Sequence, residues 1–87
     1  MASGHGFLDA VSVKKSPFLV AFGKNLQTAR RRAGMSQEDL AHHASLHQVT
    51  VSLIENGRRA ITLTTLERLA RALRVQPSDL VPTLRDH

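Results

Sequence analysis

Between Ser36 and Glu55 the chain carries two helical patterns of about two turns each, separated only by Ser45-Leu46-His47. Helices this short do not persist alone in water, because nucleation costs more than so few hydrogen bonds return. Each must bury one face against other elements, and 87 residues leave room for one core to bury it in. The apolar residues are mainly Leu, Ala, Val and Ile, with three Phe and no Trp or Tyr, a set that interlocks between small helices better than it covers a sheet. These constraints predict an all-α domain.

The remaining helices can be placed by their caps and stripes. Ser16 is a good N-cap and Pro17 suits a first helical position. From there Phe18, Phe22, Leu26, Ala29 and Ala33 form one stripe, and Gly34 can end the helix in a left-handed conformation. Ser36 caps a second helix, Gln37 to Ala44, with Glu38 and Asp39 in its first turn complementing the helix dipole and Leu40, Ala41 and Ala44 facing inward. A third helix, 47–55, turns Val51 and Ile54 inward and stops at Asn56-Gly57. Thr62 caps a fourth, with Leu63, Leu66, Leu69, Ala70 and Leu73 as its stripe. Pro77 opens a fifth, single-turn element that returns Leu80 and Val81 to the core. The expected organisation is a loose N-terminal arm (1–15), a compact five-helix domain (16–82) and a short tail (83–87).

Twelve Lys and Arg against seven Asp and Glu give a formal charge of +5, which favours a polyanionic partner. The chain has no cysteine, hence no disulfide framework and no thiolate metal site. His42, His43 and His47 raise the question of a metal, but the adjacent pair diverges on a helix and the helix ends before His47, so neither metal nor cofactor is expected. No phosphate-cradling glycine loop, activated nucleophile or paired carboxylate site is evident, so the chain is not read as an enzyme. No apolar run is long enough for a membrane span, and helices one and four mix both charge signs, which argues against a membrane surface. A cytoplasmic, nucleoid-associated protein of prokaryotic or phage-like type is expected.

Two short helices joined by three residues within a basic helical domain match the helix-turn-helix arrangement, in which the second helix enters the DNA major groove. With Val51 and Ile54 inward, Gln48, Val49, Ser52, Leu53 and Asn56 lie on the opposite face. Gln48 can present a bidentate amide to adenine, Ser52 a hydroxyl, and Val49 a surface for a thymine methyl group.

The ordered set Phe22-Gly23-Lys24-Asn25-Leu26, Arg30, Gly34-Met35-Ser36-Gln37-Glu38-Asp39-Leu40-Ala41, Ile54-Glu55-Asn56-Gly57-Arg58-Arg59, Leu66-Glu67-Arg68-Leu69-Ala70-Arg71-Ala72-Leu73 and Pro77-Ser78-Asp79-Leu80 resembles the lambda repressor and Cro-like family, also called the xenobiotic response element family. The resemblance implies that Gln48, Val49, Ser52 and Leu53 read bases. It implies that Gln37 bonds a phosphate and braces Gln48, that Asn56, Arg58 and Arg59 hold the sugar-phosphate backbone through main-chain amides and cationic side chains, and that Arg30 and Glu55 form an internal ion pair.

Three positions depart from the family pattern. Ser45 stands where the family favours Gly, and a positive φ there would cost on the order of 1 kcal/mol. His47 replaces a small hydroxyl residue at the recognition-helix cap; it caps poorly but can reach a phosphate. Leu53 replaces a residue that is often polar, shifting readout toward methyl contacts and DNA shape. Of Arg31 and Arg32, one is expected to touch DNA or both to be solvated, and Glu67 with Arg71 to form a surface i,i+4 pair. The chain is therefore expected to be a sequence-specific transcriptional regulator, a repressor, binding a double-stranded operator as a homodimer. Val75, Val81, Leu84 and the N-terminal apolar patch are candidates for its dimer surface. An antitoxin-like protein-interaction module of the same fold is the alternative.

Overall fold

The computed structural model describes residues 16–84. Four α-helices follow one another: α1 (Pro17–Arg32), α2 (Gln37–Ala44), α3 (Gln48–Glu55) and α4 (Leu63–Leu73). The fifth helix expected from the sequence is a 3-10 turn at Pro77–Asp79. Pro82 lies too close behind Pro77 for an α-helix to establish itself. The loose arm expected at 1–15 lies outside the described residues, as does most of the tail.

Three of the four α-helices start on a side-chain cap. The Ser16 hydroxyl accepts from the backbone N–H groups of Phe18 and Leu19, and the Thr62 hydroxyl accepts from Thr65 at 3.1 Å. At Ser36 the bonding is reciprocal: its hydroxyl accepts from the Asp39 N–H and its own N–H donates to the Asp39 carboxylate, both at 3.0 Å. Of the four α-helices among the described residues, α3 alone begins without a side-chain cap, at His47.

The helix ends share one device. A residue with positive φ follows each helix, and the next N–H returns to a carbonyl five residues back: Met35 to Arg30, Leu46 to Ala41, Arg58 to Leu53 and Val75 to Ala70. Gly34 and Gly57 take this conformation at two ends; Ser45 (φ 58°) and Arg74 (φ 59°) take it at the others. The cost anticipated at Ser45 is thus incurred in the turn of the helix-turn-helix, and a second instance occurs at Arg74.

The core consists of Phe22, Leu26, Leu40, Ala41, Ala44, Val51, Ile54, Leu69, Ala70, Leu73 and Leu80. α3 packs against both α1 and α2, while α2 also packs against α4. The 3-10 turn is drawn in by buried Leu80, whose carbonyl accepts from the Asn25 side chain of α1 at 3.0 Å. Four expected core positions stay outside. Phe18 and Ala33 overhang the ends of the α1 stripe and are exposed, and Leu63 is 83% exposed in the first turn of α4. The α4 stripe enters the core gradually, with Leu66 half-buried and Leu69 and Leu73 buried. Val81, expected to return to the core with Leu80, is exposed as well, because the turn aims one of two consecutive residues inward.

The Ser36 backbone N–H, and secondarily its side chain, hold the Asp39 carboxyl below its ordinary value of 3.8. A carboxyl with a depressed folded value stabilises the protein well above 3.8, and that contribution disappears as the pH falls through the folded value. Asp39→Asn is expected to lower the urea midpoint at neutral pH and to converge with the unmodified protein in acid. A gap of constant size down to pH about 2 would contradict this origin.

Candidate nucleic-acid interface

The two faces of α3 are sharply divided. Val51 and Ile54 are buried, and the opposite face carries the residues singled out from the sequence. Gln48 is exposed and Val49 is 65% exposed. Ser52 and Leu53 are half-buried, so the base-reading quartet is not uniformly outward. The chain leaving α3 turns back over them: the Asn56 side chain donates to the Ser52 carbonyl at 2.8 Å, and the Arg58 N–H donates to the Leu53 carbonyl at 2.9 Å. The accessible members of the quartet are its N-terminal pair, Gln48 and Val49.

The same turn alters the expected backbone contacts. The main-chain N–H groups of Asn56 and Arg58 are taken by carbonyls of α3, so these two amides do not face outward as the resemblance implies. The cationic side chains of Arg58 and Arg59 are exposed, as is His47 at the other end of the helix. Three exposed basic or potentially basic groups therefore bracket α3.

Behind this surface lies a buried network. Arg30 Nε donates to Glu55 Oε2 at 2.6 Å and Nη2 to Oε1 at 3.1 Å, while Nη1 donates to the Met35 carbonyl at 2.8 Å. The Glu55 side chain is 1% exposed and that of Arg30 10%. Gln37 joins the same carboxylate, its Nε2 donating to Glu55 Oε1 at 3.0 Å. This differs from the role implied by the resemblance, in which Gln37 braces Gln48. The amide finds a buried, acceptor-only carboxylate within reach, a better partner than another amide exposed to water.

Sequence reasoning assigned no role to Gly23, yet it decides how closely α1 approaches the end of α3. A Cβ built there would stand 2.4 Å from the Glu55 carbonyl oxygen and 2.6 Å from that of Ile54. Gly57 meets α1 in the same way, with space for a Cβ closed by the Val20 backbone at 2.8 Å. The available signal was a glycine inside a helical pattern, where it costs about 1 kcal/mol relative to alanine and so marks close packing.

Among the described residues no group of three His, Asp or Glu converges as a metal site. His42 and His43 stand edge to face, and His43 Nδ1 is 2.8 Å from the Asp39 carbonyl. No helix among the described residues is long and apolar enough to cross a membrane. Glu67 and Arg71 form the expected exposed i,i+4 pair at 3.0 Å.

Comparison with known proteins agrees with this geometry. A family model described as helix-turn-helix matches residues 26–80. The chain belongs to the helix-turn-helix family. It is 41% identical over 61 residues to the control protein C.BamHI of Bacillus amyloliquefaciens, an alignment covering 69% of this chain and 75% of that protein. Its fold is similar to that of the restriction-modification controller protein C.AhdI from Aeromonas hydrophila, with a TM-score of 0.70 and 39% identity over 71% of this chain and 94% of the other. A hypothetical transcription factor from Neisseria, NHTF, aligns with a TM-score of 0.72 and 29% identity over 80% of this chain and 84% of the other.

In this helix-turn-helix domain Glu55→Ala would leave the Arg30 guanidinium buried without its anion. The expected loss is about 3–5 kcal/mol of stability, whereas replacing both partners by apolar residues of similar size should recover much of it. Thermal or urea melts of the two single variants and the double variant test this, and strictly additive losses would contradict a direct pair.

Proposed function

We propose that this chain is a sequence-specific transcriptional regulator that inserts α3 into the major groove of double-stranded DNA. The observation that carries the reading is the outward pair Gln48 and Val49 on a short helix whose other face is locked into the core. Gln48 supplies a donor and an acceptor in the arrangement that matches adenine, and Val49 offers apolar contact to a thymine methyl group. Ser52 and Leu53, half-buried on the same face, extend the contact. His47, Arg58 and Arg59 take phosphates on either side, with Gln37 and Asn56 at the same margin, and the net charge of +5 favours approach.

A single helix covers few base pairs, so a homodimer on two half-sites roughly 34 Å apart is part of the reading. Exposed Val81 and Leu84, with half-buried Val75, are candidates for its contact surface. The names of C.BamHI and C.AhdI, a control protein and a restriction-modification controller, support control of gene expression as the output, and repression as its simplest form. The cytoplasm is the compartment in which such a regulator meets its operator.

Gln48→Ala is expected to weaken binding by about 1–3 kcal/mol at one or two base positions, while Arg58→Ala should weaken all sequences alike and reduce the salt slope by about 1. Competition binding across single-base operator variants, repeated at several salt concentrations, separates the two effects. If Gln48→Ala left the preferred site unchanged, α3 would not be the reading helix.

A further inference from the structure

The sequence separates two roles, Gln37 toward DNA and Glu55 within the fold; the structure joins them through one hydrogen bond. Glu55 holds both carboxylate oxygens against the Arg30 guanidinium, and Arg30 is itself pinned by the Met35 carbonyl. Turning the carboxylate would break two charge-assisted bonds at once, in a place that water does not reach. Its Oε1 also receives Gln37 Nε2 at 3.0 Å. A carboxylate only accepts, so the nitrogen end of the Gln37 amide must point inward; the reversed amide would set two oxygens against each other with no proton between them. Gln37 is half-buried in the first turn of α2, and the side chain is therefore held in one sense at the protein surface. Its carbonyl oxygen and one remaining N–H are left for external partners.

Resting on the functional reading above, we propose that Glu55 is a positioning residue for DNA binding: it fixes the direction of the Gln37 amide and thereby couples the buried Arg30–Glu55 pair to the contact that Gln37 makes with the DNA backbone. The remaining N–H is the phosphate donor. An orientation set before DNA arrives removes the cost of ordering that side chain on binding. Arg30, buried in α1, thereby contributes to DNA affinity from within the fold.

The test is a double-mutant cycle on binding to a duplex carrying the site the unmodified protein prefers, with folded fractions checked by melting. Glu55→Gln keeps an oxygen for Arg30 but turns an N–H toward Gln37, which reverses the lock. Gln37→Met is expected to weaken binding about 3- to 10-fold in the otherwise unmodified protein, the range of one hydrogen bond, and by a factor differing from this by at least about twofold in the Glu55→Gln background, where the reversed amide turns both N–H groups outward. Equal factors in both backgrounds would overturn the coupling. Because Glu55→Gln can fail to fold, 15N relaxation of the Gln37 side-chain amide in the unmodified free protein is the second measurement. An order parameter near about 0.8 is expected, and one below about 0.6 would overturn the proposal. Absence of any duplex binding by the unmodified chain would sink the functional reading together with the coupling, whereas a rigid Gln37 with equal factors would sink the coupling alone.

Discussion

The buried pair of Arg30 and Glu55 is the constraint around which the domain is arranged. Removing two charges from water costs several kcal/mol for each ion, and the attraction between them offsets this only when the remaining donors and acceptors are also satisfied. Here the guanidinium makes three hydrogen bonds and the carboxylate accepts three. No buried side-chain nitrogen or oxygen among the described residues lacks a partner. The network gathers α1, the loop after it, the first turn of α2 and the last residue of α3. It is therefore a registration device, fixing where α3 ends relative to everything else. Gly23 serves the same end sterically, letting the α1 backbone lie against the last carbonyls of α3.

This registration matters because α3 has little means of holding itself. It is eight residues long and lacks a side-chain cap at His47, so its helical state depends on Val51 and Ile54 in the core and on the anchored C-terminal end. The turn before it adds a cost, since Ser45 occupies the left-handed region without being glycine. Leu46, half-buried against the core, and its N–H bond to the Ala41 carbonyl at 2.8 Å hold the turn despite that cost. A hydrogen-bonded turn and an anchored far end together hold the helix that carries exposed Gln48 and Val49, the arrangement that the proposed discrimination between base edges requires.

Much of this was legible in the residue pattern. Ser16-Pro17, Ser36 with Asp39, and Thr62 announce helix starts through chemistry confined to a few neighbouring residues, and the structure has helices starting there. The inward positions of α2 and α3 follow from periodicity over so short a span that little else was possible. What periodicity does not encode is where a neighbouring helix stops. Phe18, Ala33 and Leu63 sit correctly on their stripes but beyond the reach of a partner, and Val81 shares its neighbour's hydropathy without its direction. Arg74 gave no sign of its positive φ, because a long basic side chain is not a residue from which a left-handed turn is read. The destination of Gln37 was hidden for a different reason: it lies 18 positions from Glu55 and meets it only once the chain is folded.

In the proposed mode of action α3, held from behind by the core and the ion-pair network, reads DNA sequence as part of a symmetric dimer. Selection of bound sites from random duplex DNA at a stated salt concentration tests it most directly. Enrichment of a palindromic motif is expected, with half-sites about one helical turn apart, roughly 34 Å from centre to centre. Retention of duplexes without any enriched sequence would contradict it.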